Sequence, residues 1–273
     1  MQRRSVAALL ACLLGAAAAA HGQLAEEVPF ITSPDNVTLQ MLQMAQVGPT
    51  DHVIDLGSGD GRIVITAARR FGATGLGVEI VPDLVRQSLR NARDAGVAER
   101  VDFREQDLFK TDLSPATVIT MYLLTEVNLQ LRPAILALKP GTRIVSHDWD
   151  MGDWRPDQTV VVPVPDKKVG LEKSSKVHLW VVPARVEGLW CGHRLLGGTL
   201  ELAQAYQQVE GRLSRRGRVR EGTGKLRGNV LQFETRDGPL QLELVGDALR
   251  VTGNAPPTLQ GQPMFTRARG GSC

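Results

Sequence analysis

Residues 53–64, VIDLGSGDGRIV, decide the fold of this chain. An apolar, β-branched run with one acid, Asp55, leads into three glycines at alternate positions, Gly57, Gly59 and Gly61. A run that ends in closely spaced glycines predicts a buried strand followed by a tight turn into a helix. Such a turn places backbone N–H groups at the start of the helix, where they can bind a ligand.

Helix and strand patterns alternate along residues 34–139, and a fifth strand pattern, GTRIVSHDW, follows. Strands that alternate with helices indicate βαβ units and a parallel sheet. Two further β-type runs, TVVVPVP and KVHLWVV, have no helix between them and predict a hairpin that completes the sheet. We therefore predict an α/β fold over residues 28–183, a Rossmann-like sheet with helices on both faces.

The composition changes after Pro183, where glycine and arginine become more frequent and the helical periodicity fades. Runs such as GTLELAQAYQQVEG and GPLQLELVGD alternate apolar and polar residues between turn residues. This alternation predicts a small antiparallel β-domain over residues 184–270. Two cysteines, Cys191 and Cys273, fall in or beside it. A disulfide and two free thiols both fit an exported protein, and the terminal position of Cys273 favours free thiols.

The first 22 residues predict a signal peptide. A basic head, MQRR, precedes an apolar run and small residues that suit cleavage after Gly22. This pattern predicts export to the periplasm, or a membrane anchor if the leader is retained. Cys12 lies within the leader, and no Cys or His spacing typical of a zinc site occurs in the chain, so we predict no metal.

The acids of the glycine loop indicate which ligand it holds. Arg62 stands where a dinucleotide fold has its third glycine, and no P-loop lysine follows. Asp55 and Asp60 would repel a pyrophosphate, whereas they suit a cationic ligand. S-adenosylmethionine carries a sulfonium and an ammonium, and its carboxylate can bind backbone N–H groups at the helix start.

Two more acids follow the next two predicted strands. Glu79, 22 residues after Gly57, suits hydrogen bonds with both ribose hydroxyls, and Asp107 suits the exocyclic amine of adenine. Because parallel strands share one carboxyl edge, these acids should converge with Asp55 on one crevice. The predicted cofactor-binding residues are Asp55, Gly57, Ser58, Gly59, Gly61, Glu79 and Asp107.

The motifs VIDLGSGDGRIV, GVEI and EQDLF, in this order, resemble those of class I S-adenosylmethionine-dependent methyltransferases. The segment VPFITSP before the first helix makes the chain similar to the mitochondrial lysine methyltransferases of membrane carriers and ATP synthase, and to their bacterial relatives. The resemblance implies S-adenosylmethionine as cofactor and a protein lysine as methyl acceptor.

The residues after the fourth and fifth strands should face the acceptor. We predict catalytic roles for Tyr122, which could orient an amine, and for Asp148, which could accept its proton. Each also fits a structural role, in packing or as a turn cap. His147 fits a structural histidine better than a base, and Glu126 fits the first turn of a helix. Trp149 and Trp154 fit either an aromatic lysine slot or packing.

Residues 212–227 carry seven basic residues and one acid, Glu221. A basic loop can bind anionic lipid or nucleic acid, but a solvated hairpin face explains the pattern more simply. The net charge of +3 gives no separate support for nucleic-acid binding. We therefore expect no nucleic-acid partner and keep membrane contact through this run as an option.

The sequence leaves three functions open. The first is methylation of a protein lysine. The second is an exported binding module that keeps the fold without turnover, since S-adenosylmethionine is made in the cytosol and, being charged, does not cross a bilayer unaided. The third is methylation of a small molecule.

Overall fold

The computed structural model describes residues 31–168, 172–193, 197–235, 238–253 and 260–273, so the predicted signal peptide lies outside the described residues. The helices are α1 (Asp35–Met44), α2 (Arg62–Phe71), α3 (Pro82–Asp94) and α4 (Thr125–Leu136), with a short 3₁₀-helix at Leu108–Lys110. In the described part of the chain, no helix has the length and apolar content needed to span a membrane.

Seven strands form the first sheet, in the order β3-β2-β1-β4-β5-β7-β6. They are β1 (His52–Leu56), β2 (Thr74–Glu79), β3 (Val101–Glu105), β4 (Val118–Met121), β5 (Arg143–His147), β6 (Gln158–Pro163) and β7 (Ser174–Val181). The first five strands are parallel, while β7 runs antiparallel to both β5 and β6. The predicted sheet and its terminal hairpin are confirmed.

The central strands of the sheet are buried on both faces. Successive residues of β1 point to opposite faces of the sheet. Val53 packs with α1 and α2, whereas Ile54 and Leu56, on the other face, pack with α4. A third apolar cluster joins α2 and α3 to β3. Because both faces are covered, the strands are apolar runs, and polar groups of the site can gather only at the strand ends.

The C-terminal strands close into an eight-stranded antiparallel barrel, in the order β10-β11-β12-β13-β14-β15-β8-β9. They are β8 (Gly188–Gly192), β9 (Thr199–Ala205), β10 (Gln208–Arg215), β11 (Arg218–Arg227), β12 (Val230–Thr235), β13 (Gly238–Val245), β14 (Ala248–Thr252) and β15 (Pro263–Arg267). Apolar side chains fill the interior. The antiparallel β-domain is confirmed, and closure leaves its strands without free edges.

The basic run of residues 212–227 forms most of the β10–β11 hairpin. Arg212 lies 3.8 Å from Glu221 on the paired strand, and Lys225 lies 3.0 Å from Asp157, in the segment after β5. The arginines at 218, 220 and 227 are exposed.

Cys191 of β8 and Cys273 form a disulfide with a Cα–Cα distance of 5.4 Å. The preference for free thiols was therefore wrong. The chain turns back after β15, and a bridge between Arg269 and Ser272 brings the terminus to β8. The two cysteines are 82 positions apart, so the bond ties the two ends of the barrel sequence together.

We expect Cys273→Ser to lower the free energy of unfolding of the barrel by about 2–4 kcal/mol, because the crosslink restricts the unfolded chain. Chemical denaturation with and without reductant measures the effect. Reductant should destabilise the native protein but not the double variant Cys191→Ser/Cys273→Ser. Alkylation of both cysteines in the native, unreduced protein would contradict the bond.

Candidate active site

The glycine loop connects β1 to α2 and packs closely against the neighbouring strands. Gly57, Gly59 and Gly61 all have positive φ angles, of 73°, 54° and 79°. At Gly61 a Cβ atom would lie 2.7 Å from the Phe103 ring, so both the backbone conformation and the space require glycine there. The N–H groups of Gly57 and Ser58 donate to the carbonyl of Val78 at 2.9 Å, which fixes the loop on β2.

Asp55 is buried at the end of the central strand β1. Its carboxylate accepts one side-chain hydrogen bond, from Thr120 Oγ1 on β4 at 2.6 Å. Burial, together with the nearby charges of Glu79 and Asp60, raises the pKa of Asp55 to about 7 against the opposing effect of the Thr120 hydrogen bond. A cationic ligand beside this carboxyl would favour its ionised form.

Glu79 ends β2 and is 9% exposed. Its carboxylate accepts hydrogen bonds from three backbone N–H groups, those of Gly59 at 2.9 Å, Ile80 at 2.9 Å and Val81 at 3.1 Å. A carboxylate offers roughly four acceptor positions, so about one remains for a ligand. For Glu79 to accept the two predicted hydrogen bonds from ribose, one of these backbone hydrogen bonds would have to break.

Asp107 follows β3 by two residues, and Glu105 of β3 is paired in register with Glu79. The Asp107 carboxylate caps the short 3₁₀-helix by accepting from the Phe109 N–H at 2.9 Å, and Lys110 lies 3.5 Å away. The topology therefore brings Asp55, Glu79 and Asp107 to one edge of three adjacent strands. Their binding roles stay predictions.

Ser58 supports a fit for a polar ligand in this loop. Its hydroxyl is buried and has no hydrogen-bond partner among the described residues. Buried hydroxyls without partners are rare in folded proteins. The Ser58 hydroxyl, the spare acceptor position of Glu79 and the Asp55 carboxyl are the incompletely paired polar groups near the glycine loop, and their chemistry suits a polar ligand carrying positive charge.

The predicted acceptor side lies at the ends of β4 and β5. The Tyr122 ring stacks on the His147 ring, with 3.9 Å between centroids and 24° between planes. His147 is 1% exposed, and its Nδ1 lies 2.8 Å from Ser33 Oγ. Burial lowers the pKa of His147 to about 4, with Lys167 adding to the shift against the opposing charge of Asp148. His147 is therefore neutral at physiological pH and is a weak base.

Asp148 has a structural partner for its charge. Its carboxylate accepts hydrogen bonds from Lys167 Nζ and from the Lys176 N–H, both at 2.8 Å. Although burial opposes the shift, hydrogen bonds from Lys167 and the Lys176 N–H lower the pKa of Asp148. A carboxylate in an ion pair with a lowered pKa takes up a proton less readily. The role of Asp148 as proton acceptor stays a prediction, and this geometry does not favour it.

The remaining candidates separate into packing and surface residues. Trp154 is fully buried and stacks on Tyr206 of the barrel at 5.9 Å, so it packs and does not line an open slot. Trp149 is 41% exposed, and Glu126 is exposed in the first turn of α4. In the described ranges, no group of three metal-ligating side chains occurs.

Three contacting residues were missed by sequence reasoning: Ser33, Thr120 and Lys167. Ser33 lies in the VPFITSP segment, which the resemblance had marked without a role. Thr120 lies on β4 opposite Asp55, a pairing that follows only once the strand order is known. Lys167 lies in the β6–β7 connection, and no local pattern links it to Asp148.

A sheet of this order, with a glycine loop after β1 and acids at the ends of β1 to β3, defines a class I S-adenosylmethionine-dependent methyltransferase. The model of the ANTKMT methyltransferase domain matches residues 55–158. The chain belongs to this family, and S-adenosylmethionine is its cofactor.

Two kinds of relative show the range of the similarity. The chain is 44% identical over 137 residues to a protein-lysine N-methyltransferase of Saccharolobus islandicus, covering 50% of this chain and 85% of that protein. It is 30% identical to the mouse adenine nucleotide translocase lysine N-methyltransferase, covering 48% of this chain and 57% of that protein. The chain thus spans little more than half the length of this mouse relative.

A solved structure shares the methyltransferase half. It is an RNA methyltransferase from Salinibacter ruber in complex with S-adenosyl-L-homocysteine. The sequence identity is 50% and the TM-score 0.51, over 57% of this chain and 96% of that one.

We predict that Glu79→Gln weakens S-adenosylmethionine binding tenfold or more, because it removes a charge-assisted hydrogen-bond acceptor. Calorimetric titration measures the affinity. Glu99→Gln, a loss of the same charge just before β3 starts, is the matched control and should bind like the native protein. Equal affinity for both variants would show that Glu79 does not hold the cofactor.

The raised pKa of Asp55 predicts a pH-dependent affinity. With a pKa of about 7, Asp55 is about half ionised near pH 7 in the folded protein, and a cationic ligand favours release of the remaining proton. Binding should tighten up to about tenfold between about pH 6 and 8, as the ionised fraction grows. For Asp55→Asn the Asp55-dependent part of this rise should vanish. An unchanged pH profile in that variant would assign the effect to another group.

Proposed function

We propose that this methyltransferase transfers a methyl group to the ε-amine of a lysine in a protein. The observation that carries the proposal is the 44% identity to the archaeal protein-lysine N-methyltransferase, 85% of which is covered. The mouse lysine N-methyltransferases of ATP synthase and of adenine nucleotide translocase, at 31% and 30% identity, point the same way.

The cofactor supplies an activated methyl group on a sulfonium, so the chain mainly has to bind, orient and exclude water. In our proposal the glycine loop and Ser58 hold the methionine part, Glu79 the ribose and Asp107 the adenine. Asp55 compensates the positive charge from a buried position at the end of β1.

The acceptor edge suits an amine. The Tyr122 hydroxyl has no hydrogen-bond partner in the described part of the chain, and burial raises the pKa of Tyr122, so the phenol stays protonated. A neutral phenol can accept a hydrogen bond from an amine or donate one to it. The exposed carboxylate of Glu126 can attract a lysine ammonium to this edge. Loss of the lysine proton is then favoured by desolvation as the side chain enters.

RNA is a second candidate acceptor, because the Salinibacter relative of known structure is an RNA methyltransferase. Two features of this chain favour lysine over RNA. Asp150 after β5 and Glu126 after β4 have no ion-pair partner among the described residues, and such carboxylates disfavour a phosphate backbone. The (Asn/Asp)-Pro-Pro-Tyr motif of enzymes that methylate amide or exocyclic nitrogens is absent at the end of β4, since Thr120 and Met121, not two prolines, precede Tyr122.

The acceptor can be identified by labelling. We expect the purified full-length protein, given labelled S-adenosylmethionine and cell fractions, to place label on protein that hydrolyses to methyl-lysine. Acetylation of the fraction's lysines should abolish the signal, and Glu79→Gln should reduce it. Label that is lost on RNase treatment would instead identify RNA, and label confined to low-mass products would identify a small molecule.

We also propose that the protein acts in an oxidising compartment such as the periplasm. The support is the signal-like sequence of residues 1–22 and the Cys191–Cys273 disulfide, a bond typical of exported proteins. Fractionation of the host cell, with detection of the cleaved N-terminus by mass spectrometry, tests this. A cytoplasmic protein with its leader intact would refute it.

A further inference from the structure

A chain of polar and aromatic contacts connects the glycine loop to the acceptor edge. Asp60 in the loop binds Arg62, whose Nη2 lies 2.6 Å from Oδ2. Nη1 of Arg62 donates to the Ser33 carbonyl at 3.0 Å, and the Ser33 hydroxyl lies 2.8 Å from His147 Nδ1. The His147 ring then stacks on Tyr122.

Ser33 and His147, in the middle of this series of contacts, are buried. Ser33 is 3% exposed and His147 is 1% exposed, so water does not replace either partner easily. A hydrogen bond between buried groups is costly to break, because the remaining group is left without a partner. The Ser33 hydroxyl therefore fixes the orientation of the imidazole ring.

Tyr122 depends on that ring for its own position. It lies one residue beyond the end of β4, so it is outside the paired strand. Since its hydroxyl has no partner within the described ranges, the stack on His147 is the contact that defines its ring plane. Any rotation of the imidazole would move the phenol that faces the acceptor.

We propose that Ser33 and His147 are positioning residues that hold the Tyr122 phenol in register with the cofactor loop. Methyl transfer needs the nucleophile, the methyl carbon and the sulfur in line, and a misplacement of about 1 Å can cost a large part of the rate. The inference rests on the proposed amine transfer at this edge. It gives Ser33, near the end of the VPFITSP segment, a function, which is to connect the two halves of the site.

The charges of Asp148 and Lys167 beside His147 affect whether the imidazole is neutral. A neutral His147 can accept a hydrogen bond from the Ser33 hydroxyl at Nδ1, whereas a protonated ring would donate to that hydroxyl instead. The Asp148 carboxylate lies 3.5 Å from His147 Nε2 and would favour protonation, but Lys167 pairs with Asp148 at 2.8 Å. In our proposal the Lys167–Asp148 ion pair favours the neutral form of the imidazole, and Asp148 influences Tyr122 only through His147.

The test compares variants of Ser33. Ser33→Ala should lower kcat about three- to tenfold, as expected for loss of one orienting hydrogen bond. Its affinity for S-adenosylmethionine should stay the same, because the Ser33 carbonyl still accepts from Arg62. Ser33→Thr keeps a hydroxyl and should recover most of the rate. Thr142→Val, which deletes a buried hydroxyl just before β5 starts, is the control for stability loss and should keep kcat.

A double variant separates positioning from a merely structural role. If Ser33 acts through the phenol, Ser33→Ala should have no further effect on kcat in a Tyr122→Phe background. An undiminished loss in that background, or a kcat for Ser33→Ala within about twofold of native, would overturn the proposal.

Nuclear magnetic resonance provides a readout that needs no turnover, so it also decides the matter if lysine proves the wrong acceptor. The chain has two tyrosines, and Tyr122→Phe assigns their ring signals. Ser33→Ala should shift the Tyr122 ring resonances and leave those of Tyr206 in place. Unchanged Tyr122 resonances would show that the ring does not depend on Ser33, and the proposal would be wrong.

Discussion

The methyltransferase site depends on a buried carboxyl that the fold does not neutralise. Asp55 lies at the end of the central strand, 2% exposed, with Thr120 as its side-chain hydrogen-bond donor. No basic side chain among the described residues pairs with it, while the acids Glu79 and Asp60 raise its pKa. Burial of an uncompensated acid is unfavourable unless a proton or a cation accompanies it. With its pKa raised to about 7, Asp55 is partly protonated at neutral pH in the free protein, and a cationic cofactor would favour its ionised form.

Asp148, the acid that follows β5, differs from Asp55 because its charge is paired. Asp148 follows β5, two strands from Asp55, and Lys167 and the Lys176 N–H hold its carboxylate. Because its charge is already compensated, it offers less attraction to an incoming ammonium than Asp55 does. Of these two strand-end acids, only Asp55 is without a basic partner among the described residues. The proposed acceptor side has a neutral aromatic pair, Tyr122 and His147, which would suit the neutral lysine amine that we propose as acceptor.

The sequence predicted what local patterns determine. Apolar β-branched runs located the seven strands of the sheet, helical periodicity located the four helices, and the strand-end rule placed Asp55, Glu79 and Asp107 at the carboxyl ends of three adjacent strands. Local sequence patterns did not predict contacts between distant residues. Ser33 and His147 are 114 positions apart, and Thr120 and Asp55 are 65 positions apart. The Cys191–Cys273 disulfide was not predicted for the same reason, since its formation depends on how the barrel closes. Local periodicity records which face of an element is buried, but not which distant side chain lies opposite.

The barrel contacts the acceptor side of the methyltransferase sheet directly. At the β9–β10 turn, Tyr206 donates from its hydroxyl to Asp153 at 2.9 Å and stacks on Trp154, while Gln207 donates to the Arg155 carbonyl at 2.6 Å. All three partners lie in the segment that follows Asp148 and Trp149. Because a loop fixed along its length keeps its free side chains in place, the barrel restrains the segment that follows β5. If the acceptor enters beside this segment, as we propose, the barrel can limit which acceptors reach the methyl group.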